Sequence, residues 1–428
     1  MRLARSPANA SFVLGASMAA LVVLRAATLA AALLPCLAAA APLTLDSALD
    51  LAAQRSEAAR AARAGVASAS DASRAAGQLP DPVLRLGLEN LPATGPDRFS
   101  ASRDSQTMKR IGLSQEWLSH DKRAARQAAA EAMVGREAID TQAALAETRL
   151  QTASAYLETW YAGEALKLMA LTERHLHEEL EAARARLAAA TGSSPEVLAL
   201  VAARGMAEDE TAEVRQQLSA AQLSLQRWTG MPPGDLAPAA AMAVPPEQAY
   251  VAAHPEVLAL QRDIDVAQQS AAVAASERRA NWTWEVSYGQ RTGYADMVSF
   301  GVSIPLQVAP AERQDRDTAA KRAQVEKAQA ELAEAIRAAT AEYQALASDA
   351  QRLQARIDRY RDGVLMPTQQ RTAATMAAYR SNQAPLSSLF EARHAEVEAQ
   401  RKLLNLQREL AQTQARLAFK PLTPGAAP

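Results

Sequence analysis

The residues able to do chemistry are few, and their spacing does not suit catalysis. The chain of 428 residues has five histidines. His175 and His177 stand two apart in a helical stretch and so face different ways, and "HLHEE" is not the H-E-x-x-H of a zinc hydrolase. His120, His254 and His394 are isolated, and the eleven methionines do not gather into a thioether site. The one cysteine, Cys36, lies in an N-terminal apolar run, which leaves no thiolate ligand or disulfide beyond it. No catalytic residue, cofactor site or metal site is expected. What does recur is charge at alternate positions. Arg85 and Glu89 lie among Leu84, Leu86 and Leu88, and Arg110 and Glu116 among Ile111, Leu113 and Trp117. Glu285 lies among Trp282, Trp284, Val286 and Tyr288. In a strand this pattern puts charge on one face and apolar groups on the other. The chemistry it suits is that of a wetted wall, whose fixed charges steer ions without holding them.

Long helices must carry these strands. Hydrophobic residues make up 49% of the chain, but alanine dominates that figure and aromatics are only 4%. Alanine, glutamate, arginine and leucine favour helix, and small surfaces let helices approach closely. One seam runs Val325, Ala328, Leu332, Ile336, Ala339, Tyr343, Leu346, Ala350, then Leu353, Ile357, Tyr360 and Val364. Steps of three and four sustained this far indicate coiled-coil packing. A helix over 310–380, kinked at Pro367, is expected, and another over 120–190 with Leu150, Leu157, Trp160, Leu168 and Leu171 in its seam. The pattern is written twice: Val214, Leu218, Ala221 and Leu225 are spaced as Leu406, Leu410, Thr413 and Leu417. "IGLSQEWL" (111–118) likewise parallels "FGVSIPLQ" (300–307). The expected organisation is a first repeat over 41–229, a Pro/Ala-rich linker over 230–246, a second repeat over 247–420 and a flexible tail at 421–428. Each repeat opens with a helix (46–78 and 255–279) followed by two strands, at 82–91 and 108–118 and at 282–290 and 298–307. A net charge of −1 suggests no nucleic-acid partner.

The first residues read as a secretory signal peptide. Arg2 and Arg5 precede a small-apolar run that ends in Ala38-Ala39-Ala40-Ala41-Pro42, an A-x-A cleavage signal closing the leader at 1–40. Arg25 interrupts the run and leaves Met18 as an alternative start. Pro35 fits lipidation of Cys36 poorly, so that modification is not expected. No later run is long and apolar enough for a transmembrane helix. Two readings of the strands remain. They form a soluble sheet on the helices, or they cross an outer membrane, for which about ten tilted residues suffice. Trp117, Trp282, Trp284 and Tyr288 sit where a barrel carries its aromatic girdle, which favours the membrane. Arg85, Glu89, Arg110, Glu116 and Glu285 would then line the lumen. Four strands cannot close a barrel, whereas three chains would supply twelve. The expected fold class is mainly α with a membrane β-barrel, closed as a trimer and continued by a helical tunnel.

This order resembles the TolC family of outer-membrane efflux proteins across the whole mature chain. "YRSNQAPLSSLFEA" (379–392) is similar to the family's second helix-tip motif and "GSSPEVLAL" (192–200) to the first. "QLPDPVLRLGLENLP" (78–92) and "RDSQTMKRIGLSQE" (103–116) resemble the subset working with heavy-metal pumps of the resistance-nodulation-division class. The resemblance implies a non-enzymatic homotrimeric exit duct in the outer membrane, docked to a periplasmic adaptor and an inner-membrane pump, with cations such as copper, silver, zinc, cobalt or cadmium as cargo. It implies a periplasmic constriction at Ser388 and Glu391, of which only Glu391 is acidic, and tip-closing contacts by Tyr379 and Glu196. Asn382 stands where the family has glycine, and Ala384 where its best-known member has a basic residue. Left to the bare sequence, Glu391 is equally a helix-surface glutamate. A drug-efflux or type I secretion duct shares the fold. A periplasmic coiled-coil adaptor is the rival from another class, but it would carry a single helical hairpin flanked by lipoyl-like β segments.

Overall fold

The computed structural model describes residues 42–423. The leader at 1–40, Cys36 and positions 424–428 of the tail lie outside the described residues. The chain runs α1 (Leu45–Arg55), α2 (Glu57–Ala76), β1 (Val83–Glu89), β2 (Met108–Trp117), α3 (His120–Ala188) and α4 (Ser194–Thr229). It continues α5 (Glu247–Ala252), α6 (Pro255–Ser276), β3 (Trp282–Arg291), β4 (Met297–Ser303), α7 (Gln314–Tyr360), α8 (Met366–Arg380) and α9 (Leu386–Phe419).

Local chemistry sets the helix ends. Thr44 and Ser47 form a capping box at the start of α1. Ser56 then leaves the helical region, accepts from the Ala59 N–H and bonds the Thr148 hydroxyl at 2.9 Å. A serine that can cap a new helix breaks the old one, so the single helix expected over 46–78 is two. Ser119 caps α3, which runs 69 residues without interruption, about 100 Å at 1.5 Å per residue. Pro367 cannot donate to the carbonyl one turn back. The preceding turn, Arg361–Leu365, widens into a π-helical turn, and α7 passes through it into α8. Instead of the kink expected at Pro367, the helix continues through this π-turn one turn earlier.

The core lies where α1, α4 and α9 meet the middle of α3, with Tyr156, Leu157 and Leu225 fully buried. Thr148, Thr152 and Thr159 face inwards as well, each donating its hydroxyl to the carbonyl four residues back, so none of these three hydroxyls is left unpaired. The Pro/Ala-rich segment after α4 is pinned to this core. Leu43 bridges Leu236, and the Tyr156 hydroxyl reaches the carbonyls of Leu43 and Ala237 at 2.7 and 2.6 Å. Below it, Tyr250 is fully buried against Tyr343, and His254 sits 3.6 Å from Glu342, which also holds Lys420. On α7 the seam is only partly filled. Ala328, Ala335, Ala339 and Ile357 are buried, whereas Ile336 and Val364, placed in the seam by their spacing, are exposed.

The four strands form one antiparallel sheet in the order β1-β2-β3-β4. The central strands are longer, with Trp117 opposite Trp282, whereas β1 starts opposite Ser114 and β4 ends opposite Thr283. Proline cannot donate to a ladder. Pro80 and Pro82 precede β1, and Pro305 follows β4. Both edge strands therefore stop short at the helical end, and Ile304 and Leu306, expected in the fourth strand, lie beyond it.

Candidate functional site

On the polar face of the sheet, register rather than sequence distance brings the charges together. Arg110 donates to Glu89 at 2.6 Å on β1 and to Glu285 at 3.0 Å on β3, while its Nε donates to the Ser287 hydroxyl at 2.9 Å. Arg85 lies 3.9 Å from Glu285. Gly87 and Gly289 are Arg110's register partners on either side, and the Met108 side chain fills the space over Gly289. A Cβ at Gly87 would meet nothing within 4 Å. Four of the five residues expected on this wall are thus one cross-strand cluster. Glu116 stands apart, accepting from the Asn281 amide at 2.8 Å. The arrangement fixes alternating charge along a surface and offers no unpaired nucleophile or base.

The opposite face is apolar, and none of the described residues covers it. Leu84, Leu113, Val286 and Phe300 form one cross-strand row; Leu86, Ile111, Tyr288 and Val298 form the next. Phe300 is 81% exposed and Leu86 71%. Trp117 and Trp282 pair across β2 and β3 at the end from which the helices leave, with Trp284 one row further in. Tyr288 lies toward the other end, its hydroxyl donating to Asp296. Lys109 and Gln290 close the apolar face at that end.

A polar clamp joins sheet to helices. The Lys122 ammonium, 2% exposed, donates to Glu277 at 2.8 Å and to Asn281 Oδ1 at 2.7 Å, and Arg126 reaches Glu277 at 2.9 Å. Burial pushes the Glu277 carboxyl up, but the two cations prevail and hold it below its ordinary value. Sequence reasoning missed this clamp. Its only local sign is a lysine one turn into a helix, which reads as surface.

At the far end of the helices, α3, α4, α8 and α9 pack around Leu176, Leu180, Leu200, Leu386 and Leu389. The Tyr379 ring rests on this cluster. Glu196, in the first turn of α4, pairs with Arg186 of the same hairpin at 3.5 Å. Tyr379 and Glu196 thus reach the same end, but among the described residues they share no bond. Asn382 has φ of 61° at the turn between α8 and α9. Asparagine tolerates that left-handed region better than most residues, so it can stand where glycine was expected. Leu386, Leu389 and Ala392 are buried while Glu391 is exposed and Ser388 half-buried. Next to them lies a buried ion pair with no signal in the sequence. Glu179 is 3% exposed and accepts from Arg393 at 2.8 Å. Burial holds its carboxyl above the ordinary range despite the guanidinium. Two further pairs, Arg401 with Glu210 and Arg408 with Glu158, tie α9 to the first hairpin. Among the described residues no cluster of three or more His, Cys, Asp or Glu gathers to hold a metal. No described helix is long and apolar enough to cross a membrane.

A scan against protein-family models finds no match, and neither does a search of curated proteins. Solved structures do match. The outer membrane protein VceC of Vibrio cholerae aligns with a TM-score of 0.71 at 17% identity, over 88% of this chain and 96% of that one. CusC, described as forming a transmembrane channel, gives 0.73 at 14% identity, over 89% and 92%. The CmeC outer membrane channel of Campylobacter jejuni gives 0.75 at 11% identity, over 90% and 87%. With helices, sheet and hairpin tips in one matching arrangement, this chain has the fold of the TolC-like outer-membrane channels.

Proposed function

We propose that this protein is the outer-membrane channel of a tripartite efflux system, a passive exit duct across periplasm and outer membrane. The observation that carries the reading is the two-faced sheet. Its bare apolar rows are of a kind that water-soluble proteins cover, and the opposite face is a charged cluster suited to an aqueous lumen. β2 and β3, at 10 residues each, are long enough to cross a bilayer when tilted. Among the described residues neither edge strand of the sheet, β1 or β4, has an outer partner. In a homotrimer each β1 would meet a neighbour's β4, closing twelve antiparallel strands, and the exposed residues of α7 and α8 would pack in the helical tunnel. The similar order of elements in the two halves supports a duplicated unit. Trp117, Trp282, Trp284 and Tyr288 would sit at the lipid boundary, and Arg85, Glu89, Arg110, Glu116 and Glu285 around the water path.

At the periplasmic tip, three copies of Glu391 would form a ring that attracts cations, beside Ser388, with Tyr379 and Glu196 helping to close it. An adaptor and a resistance-nodulation-division pump would dock at this end. Heavy-metal cations are the cargo supported by "QLPDPVLRLGLENLP" and "RDSQTMKRIGLSQE". As cargo they need no tight site, since strong binding would slow release. Drug efflux and protein secretion are the other uses of the same duct. The test is fractionation followed by planar-bilayer recording. Outer-membrane trimers with cation-preferring conductance that weakens in Glu391→Gln are expected. A monomer in the soluble periplasmic fraction would overturn the reading.

A further inference from the structure

A groove of about 320 Å³ opens over α3 between α4 and α9, above the buried Glu179–Arg393 pair. That volume is at the lower end of small-ligand sites. Most of its wall is apolar: alanines of α4, Met169 on the floor and Met206 at the edge. Among the described residues no three His, Cys, Asp or Glu gather here to hold a metal ion. Its polar groups are few and convergent. His175 lines the floor with its Nδ1 buried and without a partner. Burial, then the charge of Arg393, lowers the His175 pKa, so this ring is neutral at pH 7.

Two features narrow the ligand. On one rim the rings of Phe390 and His394 stack with centroids 6.1 Å apart and planes within 13°, a flat platform beside polarisable thioethers. The charges around the groove are also unequal. Of the three glutamates lining it, Glu179 pairs with Arg393, while Glu210 and Glu398 share Arg401 at 3.2 and 3.6 Å. One negative charge is left over near the platform. Glu391, His394 and Glu398, three and four residues apart, share the exposed face of α9, so the groove opens on the side that carries the proposed constriction.

We propose that this groove is a binding site for a flat aromatic monocation, with the ring on the Phe390–His394 platform and its charge toward Glu398. Its use as a station for cargo rests on the channel reading; the binding itself does not.

The test is a fluorescence-anisotropy titration of ethidium into the purified full-length protein in detergent. Ala202, exposed on the groove wall, takes Ala202→Trp as a plug, and Glu398→Gln removes the surplus charge. Saturable binding is expected, weakened at least about tenfold by the plug and about threefold by the charge removal. The neutral dye N-phenyl-1-naphthylamine should be displaced by the plug and indifferent to Glu398→Gln. Equal ethidium affinity in wild type and Ala202→Trp would sink the site. An equal response of the two dyes to Glu398→Gln would sink the cation preference. A smaller assembly for Ala202→Trp on gel filtration would also overturn the proposal, because the groove would then be a seam between copies. Bilayer conductance of the same samples tests the channel reading separately.

Discussion

The two long helices are built from the same residues at the same spacing, yet their surroundings differ. α3 is packed by α1, α2, α4, α6 and α9, and it buries residues from Lys122 to Ala183. α7 is packed by α5, α6 and α9 and buries mainly alanines, and α8, beyond the π-turn, has no fully buried residue, with Met376 and Tyr379 resting on the tip cluster. A three-four seam says that a helix has a partner but not where the partner comes from. In α3 no named seam residue is left exposed: Leu157 is buried, and Leu150, Trp160, Leu168 and Leu171 are half-buried within the chain. Along α7 and the π-turn it leaves Ile336 and Val364 at the surface, where other copies of the chain would meet them in the proposed trimer.

The sharpest way to break this contrast is Arg393→Ala, which strands the Glu179 carboxylate inside the tip. We predict a loss of about 3–5 kcal/mol, the usual cost of unpairing a buried charge. The loss should shrink on acidification. Burial already raises the Glu179 pKa, and losing the Arg393 guanidinium, which opposes that rise, raises it further, so the variant's fold gains more from protonation than the wild type's as the pH falls. Thermal melts of both proteins from neutral to acid pH check this, and a gap that ignores pH would refute it.

Next in size, Leu157→Ala in the filled seam should cost about 2–5 kcal/mol at any protein concentration. Ile336→Ala in the open seam should leave helix melting nearly unchanged and instead loosen self-association, read by analytical ultracentrifugation. Equal melting losses would erase the distinction between the helices.

A smaller effect concerns the junction of α5, α6 and α7. Burial, with the charge of Lys420, lowers the His254 pKa, opposed by Glu342 and Glu256. The unfolded chain therefore takes up this proton first, and wild-type stability falls as pH drops through about 6.5, the ordinary imidazole value. His254→Gln should flatten that decline in denaturation curves, and an unchanged slope would assign it to other groups. The smallest change is expected at Gly363 in the π-turn, where an added Cβ meets nothing within 4 Å. Gly363→Ala should stabilise by up to about 1 kcal/mol through reduced unfolded-state freedom. Destabilisation would show that the turn between α7 and α8 depends on glycine.

Much of the architecture was legible because it is local. Alternation at Leu84–Leu88 and Trp282–Tyr288 assigns strand faces, and steps of three and four assign helix seams. Even where the reading slipped, the signals were present: Ser56 is a good cap, and Pro305 is a poor strand residue. The site was legible only in part. Arg85, Glu89, Arg110 and Glu285 could be placed on one face by parity. That Arg110 would hold Glu89 and Glu285 required the register of three strands.

By itself, the sequence determined which residues form helix or strand and which face of each is apolar, because those properties depend on neighbours within about four positions. Only the tertiary structure decided which partners those faces meet. Glu179 reads as one more glutamate in "HLHEEL" until α9 brings Arg393 to it, and Lys122 reads as a surface lysine until Glu277 and Asn281 close over it. Burial depends on segments far along the chain, and no local pattern records which of two equivalent seams will be filled from within.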